Sequence, residues 1–257
     1  MIIDQVIDQV YFRKAEHPQA NKSIIYLHGL GESGLCFSNL ISDSRLSRFN
    51  HYVPDFPGYG KSPSLDKTFS LLDFSEVIKD FIDKIKLNQV IILGHSMGGV
   101  VGLLLAEKYP DLVELFINVE GNISPDDCTL SRSVTGYSAE DFLDFGYEKM
   151  LDKVYLAGME NRDLRGYYPS MRFCNPRIYY QNSQELINLS NTEKLAERMS
   201  GLKCDKVYIL GIPRGTGKRS RDLLDKARVK WIAVENSGHW PFLDQPDRFI
   251  EIIESIT

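Results

Sequence analysis

The chain has 257 residues, 43% of them hydrophobic and 25% charged. That is long enough for one sizeable core, and α/β folds of this length are commonly a single domain. A net charge of -5 and a pI near 5.6 give no reason to expect nucleic acid or an anionic membrane as partner.

In chain order, the first residues offer no apolar run of signal-peptide length, because Asp4 and Asp8 interrupt it. The longest apolar stretch, Val100 to Ala106, is too short to span a bilayer. These features predict a soluble, cytoplasmic protein without membrane insertion. Val6 to Phe12 suggests an antiparallel hairpin. Ser23 to Leu27 reads as a buried strand and His51 to Val53 as a further short one. Phe69 to Lys86 carries Leu72, Val77, Ile78, Phe81, Ile82 and Ile85 at helical spacing. Val90 to Leu93 is a second buried strand, Met97 to Tyr109 a helix apolar nearly all round, and Leu115 to Val119 a third strand.

Residues 124–201 break this rhythm. They are rich in Tyr, Asp, Asn and Arg, with helical patterns over Ala139 to Leu156 and Ser183 to Met199 and no clear core strand. The segment is too long for an ordinary loop. It reads as a helical cap inserted into a core made of residues 1–123 and 202–257. Lys206 to Leu210 and Val229 to Val234 supply two more strands, and Pro246 to Ile256 a closing helix. Strands alternating with helices imply an α/β fold with a mainly parallel sheet covered on both faces. The four cysteines, Cys36, Cys128, Cys174 and Cys204, have no metal-ligand spacing and read as free thiols.

Gly94-His95-Ser96-Met97-Gly98 fits G-x-S-x-G between an apolar strand and an apolar helix. Such an elbow holds a serine in a strained conformation at a helix N-terminus, whose free N–H groups face developing negative charge. Small residues at Gly94 and Gly98 let neighbouring chains approach. Three further motifs accompany it: His28-Gly29-Leu30-Gly31, Asp55-Phe56-Pro57-Gly58-Tyr59-Gly60-Lys61-Ser62, and Ser237-Gly238-His239-Trp240-Pro241. In this order the set resembles the α/β-hydrolase superfamily, in its capped branch, from Tyr26 to Pro241. The resemblance is specific for fold and nucleophile class and weakly specific for substrate.

Five histidines are candidates for the base: His17, His28, His51, His95 and His239. His95 neighbours Ser96 on a sharp turn and should project elsewhere. His28 more naturally braces the oxyanion loop. His239 follows the last strand and stands last in the order serine, acid, histidine that the fold implies. Most relatives of this kind place an aspartate just after the strand that here is Val207 to Leu210. This chain has Gly211-Ile212-Pro213-Arg214-Gly215-Thr216-Gly217-Lys218 there, without a carboxylate. Asp205 lies at the wrong end of that strand. Glu120 ends the strand Leu115 to Val119 and resembles the alternative acid position of some lipases and haloalkane dehalogenases. Asp222 or Asp225 as the acid, or a dyad with none, stays open, as does a Glu120 paired instead with Arg132.

The resemblance implies oxyanion donors at the Met97 and Leu30 backbone N–H groups. Aromatic residues of the insertion, such as Tyr137, Phe142, Tyr167 and Tyr179, suggest an apolar, Tyr-tipped pocket, although none is singled out as a ligand contact. Gly215-Thr216-Gly217-Lys218 fails the phosphate-loop spacing and reads as a mobile basic surface loop. Glu32-Ser33 reads as either a substrate contact or a helix cap. The implied activity is a serine hydrolase, acting on a small-molecule ester or related acyl substrate without metal or cofactor. A thioesterase, a C–C bond hydrolase and a non-hydrolytic receptor share the same motifs. A carboxylate-nucleophile dehalogenase or epoxide hydrolase does not, because Ser96 occupies that position. A homodimer is possible.

Overall fold

A computed structural model describes residues 1–65 and 67–257. Eight strands form one sheet: β1 (Ile3–Ile7), β2 (Val10–Ala15), β3 (Lys22–Leu27), β4 (Phe49–Pro54), β5 (Val90–His95), β6 (Val113–Val119), β7 (Asp205–Arg214) and β8 (Trp231–Gly238). Their spatial order is β1-β2-β4-β3-β5-β6-β7-β8. The strands from β4 to β8 are parallel, and β1 and β2 add an antiparallel edge. The expected hairpin is present and longer than its apolar core suggests. Its two-residue turn at Asp8 and Gln9 has positive φ at both positions, the conformation that matches strand twist.

Eleven α-helices are described: α1 (Ser38–Ser42), α2 (Leu71–Lys84), α3 (Met97–Lys108), α4 (Ala139–Asp141), α5 (Tyr147–Ala157), α6 (Arg162–Met171), α7 (Pro176–Asn191), α8 (Leu195–Ser200), α9 (Lys218–Lys226), α10 (Pro241–Asp244) and α11 (Pro246–Ile256). α2 begins two residues later than its apolar pattern suggests. Ser70 and Asp73 form a capping box that fixes the start. α3 is buried on almost every side, as a helix packed centrally against a sheet must be. At Gly98 a Cβ would lie 2.1 Å from the Leu27 carbonyl oxygen, so only glycine lets α3 approach β3.

The segment between β6 and β7 contains helices and no strand among its described residues. Its helix breaks differ from the apolar pattern. The expected Ala139 to Leu156 helix carries a π turn at Phe142–Gly146. The expected Ser183 to Met199 helix is α7 and α8, parted by a turn where Glu193 has φ 53°. The apolar pattern also missed α6, whose start is capped by Asn161. This insertion is anchored to the core by directional bonds. Tyr59 Oη donates to Asn182 Oδ1 at 2.8 Å, and Asn182 Nδ2 donates to the Phe69 carbonyl at 2.8 Å. Tyr167 Oη donates to the Leu30 carbonyl at 2.7 Å.

The turn after β4 is built on Asp55, which is fully buried. Its carboxylate accepts from the Gly34 N–H at 2.7 Å, the Lys61 N–H at 2.9 Å and Arg13 Nη1 at 3.2 Å. Arg13 is itself buried. Asp55→Ala leaves that guanidinium without its counterion, and removing one partner of a buried pair typically costs about 3–5 kcal/mol. Urea denaturation should show a loss of that order; a change under about 1 kcal/mol would mean that Arg13 re-solvates freely. No described helix is long and apolar enough to cross a membrane. The four cysteines are free, and no metal-ligand cluster occurs among the described residues.

Candidate active site

Parallel strands present their carboxyl ends along one edge, where loops converge. Here His28, Ser96, Glu120 and His239 are each the first residue after a strand: β3, β5, β6 and β8 respectively. The topology therefore brings residues far apart in sequence to one rim.

Ser96 has φ 51° and ψ -117°, a backbone that L-residues adopt only when the surroundings force it. Its N–H donates to the Val119 carbonyl at 2.9 Å, which ties the elbow to the end of β6. Ser96 and His239 line one small cavity together with Leu30, Asn122, Asp127, Thr129, Leu130, Ser131 and Leu186. Ser96 Oγ makes no hydrogen bond among the described residues. Its contact with the imidazole is therefore one of shared cavity wall rather than a formed bond.

Glu120 also has positive φ, 52°, and is buried. Its Oε1 accepts from the Gly211 N–H at 2.7 Å and the Thr216 N–H at 3.0 Å. Its Oε2 lies 3.3 Å from His239 Nδ1. A carboxylate can only accept, so Nδ1 carries the proton and Nε2 is left with a lone pair. Burial works to lower the His239 pKa; the hydrogen bond and charge of Glu120 outweigh it and hold the ring above its ordinary value. The rival carboxylates are engaged elsewhere. Asp222 pairs with Lys218 at 2.6 Å on α9, and Asp225 accepts from Trp231 Nε1 at 2.8 Å. Arg132 donates to the Pro125 carbonyl rather than to Glu120.

The Gly215–Lys218 stretch is not simply a mobile surface loop. Thr216 is buried, and its N–H helps to seat Glu120. A Cβ at Gly215 would stand 2.3 Å from Glu120 Oε1, so the close seat demands glycine. The loop that lacks the expected aspartate thus serves as the socket for a glutamate from the neighbouring strand.

His28 Nδ1 donates to the Gly29 carbonyl at 2.9 Å, while its Nε2 accepts from the Phe56 N–H at 3.1 Å. Burial lowers the pKa of His28 and keeps the ring neutral, as these two bonds require. With the Gly29 oxygen held, the N–H on the other side of that trans peptide, which belongs to Leu30, faces away from it. Neither the Leu30 nor the Met97 N–H donates a hydrogen bond among the described residues.

Two expectations need correction. The aromatic side chains do not form the cavity wall beside Ser96. Phe142 packs on Tyr147, Tyr179 and Tyr180, and Tyr137 packs on Phe142 and Phe145. Of the Glu32-Ser33 pair, Ser33 stands at the N-cap position of a short 3-10 turn (Gly34–Phe37) without a side-chain capping bond, and Glu32 does not line the Ser96 cavity. It is buried and accepts from Gly29 N–H, His95 Nδ1 and Trp240 Nε1. The sequence held one clue to this. His95 ends a strand buried on both faces, and a buried imidazole must find polar partners.

The family model described as the alpha/beta hydrolase fold matches residues 22–214, most of the chain. The chain belongs to the α/β-hydrolase fold family. Two similar proteins from Mycoplasma genitalium carry esterase/lipase names. The protein named "Putative esterase/lipase 2" is 36% identical over 40% of this chain and 39% of its own length. "Putative esterase/lipase 1" is 25% identical over 82% of each chain. Among solved structures, a thermophilic esterase from Thermogutta terrifontis superposes with a TM-score of 0.77 at 14% identity, covering 99% of this chain and 97% of that one. At that identity the likeness is one of α/β-hydrolase fold.

Proposed function

We propose that the chain is a serine hydrolase that cleaves a carboxylic ester or a related acyl bond through an acyl-enzyme. The observation that carries this reading is the meeting of Ser96 and His239 in one cavity, with Glu120 on the far side of the imidazole. The names of its relatives support an esterase or lipase class of reaction.

Ser96 Oγ attacks the carbonyl carbon as His239 Nε2 takes its proton. The Leu30 and Met97 N–H groups stabilise the oxyanion; one such donor is typically worth ~3 kcal/mol in the transition state. The imidazolium then protonates the leaving alcohol. Water, deprotonated by His239, releases the acid and restores Ser96. These steps call on no metal or cofactor. Residues 124–201 act as the cap over the site. The wall facing Ser96 mixes Leu30, Leu130 and Leu186 with Asn122, Asp127, Thr129 and Ser131. That mixture suits a small, partly polar acyl substrate better than an aromatic one.

A fluorophosphonate probe followed by peptide mass mapping tests the site, together with turnover of short p-nitrophenyl acyl esters. The expected result is a single adduct on Ser96 and saturable hydrolysis. Modification elsewhere overturns the nucleophile. An adduct on Ser96 without turnover of any ester, thioester or C–C substrate turns the reading toward a non-hydrolytic receptor.

A further inference from the structure

Glu32 joins three separate loops of the site. It receives the Gly29 N–H at 2.6 Å from the turn after β3. It receives Trp240 Nε1 at 2.5 Å from the turn after β8. Its Oε2 also lies 2.9 Å from Nδ1 of His95, the residue before Ser96. The other nitrogen of His95, Nε2, lies 2.8 Å from the His239 carbonyl oxygen. Glu32 and His95 are both buried.

The proton count follows from which atoms can donate. The His239 carbonyl only accepts, so His95 Nε2 carries a hydrogen. The Gly29 and Trp240 N–H groups only donate, so both oxygens of Glu32 already act as acceptors. An ionised Glu32 accepts from Nδ1 only if that nitrogen is protonated too. A neutral carboxyl donating to a bare Nδ1 would weaken both short bonds.

We infer that Glu32 and His95 form a buried, doubly hydrogen-bonded ion pair, and that this pair positions His239 and the Gly29–Leu30 turn for catalysis. This rests on the esterase reading of the site. His239 is then gripped from two directions, its ring by Glu120 and its main chain by His95. The same carboxylate sets the Gly29 amide, one peptide away from the Leu30 donor. Both are positioning residues, since neither lines the cavity with Ser96.

The surroundings favour the charged pair. Burial alone would raise the Glu32 carboxyl, but the His95 charge and the bonds from His95, Trp240 and Gly29 bring it down to about 2. The other titratable groups at hand are the Cys36 thiol, 3.7 Å from Glu32 Oε2, the His239 ring, centred 4.8 Å from His95, and the His28 ring and Tyr167 phenol, both of which burial keeps neutral. Burial raises the Cys36 thiol, which stays neutral. Arg13 and Asp55 pair with each other nearby. Trp240 and Phe242 close the remaining faces with uncharged rings.

Histidine side-chain ¹H–¹⁵N NMR of the full chain tests the inference. At neutral pH the His95 imidazole should show both nitrogens protonated, as its two acceptors require. Glu32→Gln should abolish that signature and lower kcat roughly 10- to 100-fold with KM nearly unchanged, the mark of misplaced catalytic groups. Glu32→Asp should retain part of both. A neutral His95 in the wild-type spectrum overturns the inference, even if Glu32→Gln fails to fold. A folded Glu32→Gln with wild-type kcat overturns the positioning role. If the imidazolium is seen and no ester is hydrolysed, the positioning role falls together with the esterase reading, and only the ion pair survives.

Discussion

Ser96→Ala should lower kcat for hydrolysis of p-nitrophenyl acyl esters by roughly 10⁴-fold or more. The size of the loss follows from chemistry rather than from folding. Alanine keeps the Cβ that the elbow already accommodates, so the strained backbone at φ 51° is unchanged in kind. The N–H that bonds the Val119 carbonyl is also retained. What disappears is the one hydroxyl placed at the start of a helix beside an imidazole with a free Nε2. Ser131 and Thr129 share the cavity but belong to the insertion, and no helix N-terminus of comparable length supports them. Initial rates at saturating ester, on protein whose melting temperature matches the wild type, give the comparison. Turnover at wild-type rates would refute the nucleophile assignment.

Glu120→Gln is the second large effect, roughly 10³- to 10⁴-fold in kcat near neutral pH. The Gly211 and Thr216 N–H groups dictate how the amide must sit. They need an acceptor at the Oε1 position, so the amide oxygen goes there and the NH₂ faces His239. A donor opposite Nδ1 drives the imidazole proton onto Nε2, where it blocks the attack of Nε2 on the serine proton. The pH profile should move as well. His239 acts as a base only when neutral, and Glu120 raises its pKa. In the wild type the acid limb of kcat/KM should therefore lie above the ordinary histidine value of about 6.5, with activity expected to fall as pH drops through it. Without the carboxylate charge the limb shifts to lower pH. Asp222→Asn should change kcat less than about twofold, because an exposed i,i+4 pair with Lys218 contributes little. The reverse ranking of these two variants would move the acid to α9.

The strands and the elbow were legible because their signals are local. Val90 to Leu93 is a short apolar run ending in glycine, and the run continues directly into the elbow that turns it. Glu120 was legible as a candidate for the same reason: it ends an apolar strand at the rim where parallel strands open. Its seat was not legible. Gly215 and Thr216 look like any flexible basic loop until the distance to Glu120 is known, and those contacts span about ninety residues of chain. The Glu32 hub lies further out of reach, since the Trp240 bond crosses 208 residues. Helix boundaries in the insertion failed for a different reason. Asn161 and Asn175 set the starts of α6 and α7 through side-chain caps, whereas apolar spacing reports only which face is buried.

The cavity beside Ser96 measures only about 10 Å³, near the least space that holds a single water. As it stands it is smaller than the acyl group of an ester, and its outer wall is made by Asp127, Thr129, Leu130, Ser131 and Leu186 of the 124–201 segment. Tyr167, on α6, grips the Leu30 carbonyl from that same insertion. If the proposed chemistry holds, Tyr167 would report any shift of α6 straight to the Leu30 peptide, so the fit of a guest and the aim of that amide would be set by one and the same contact.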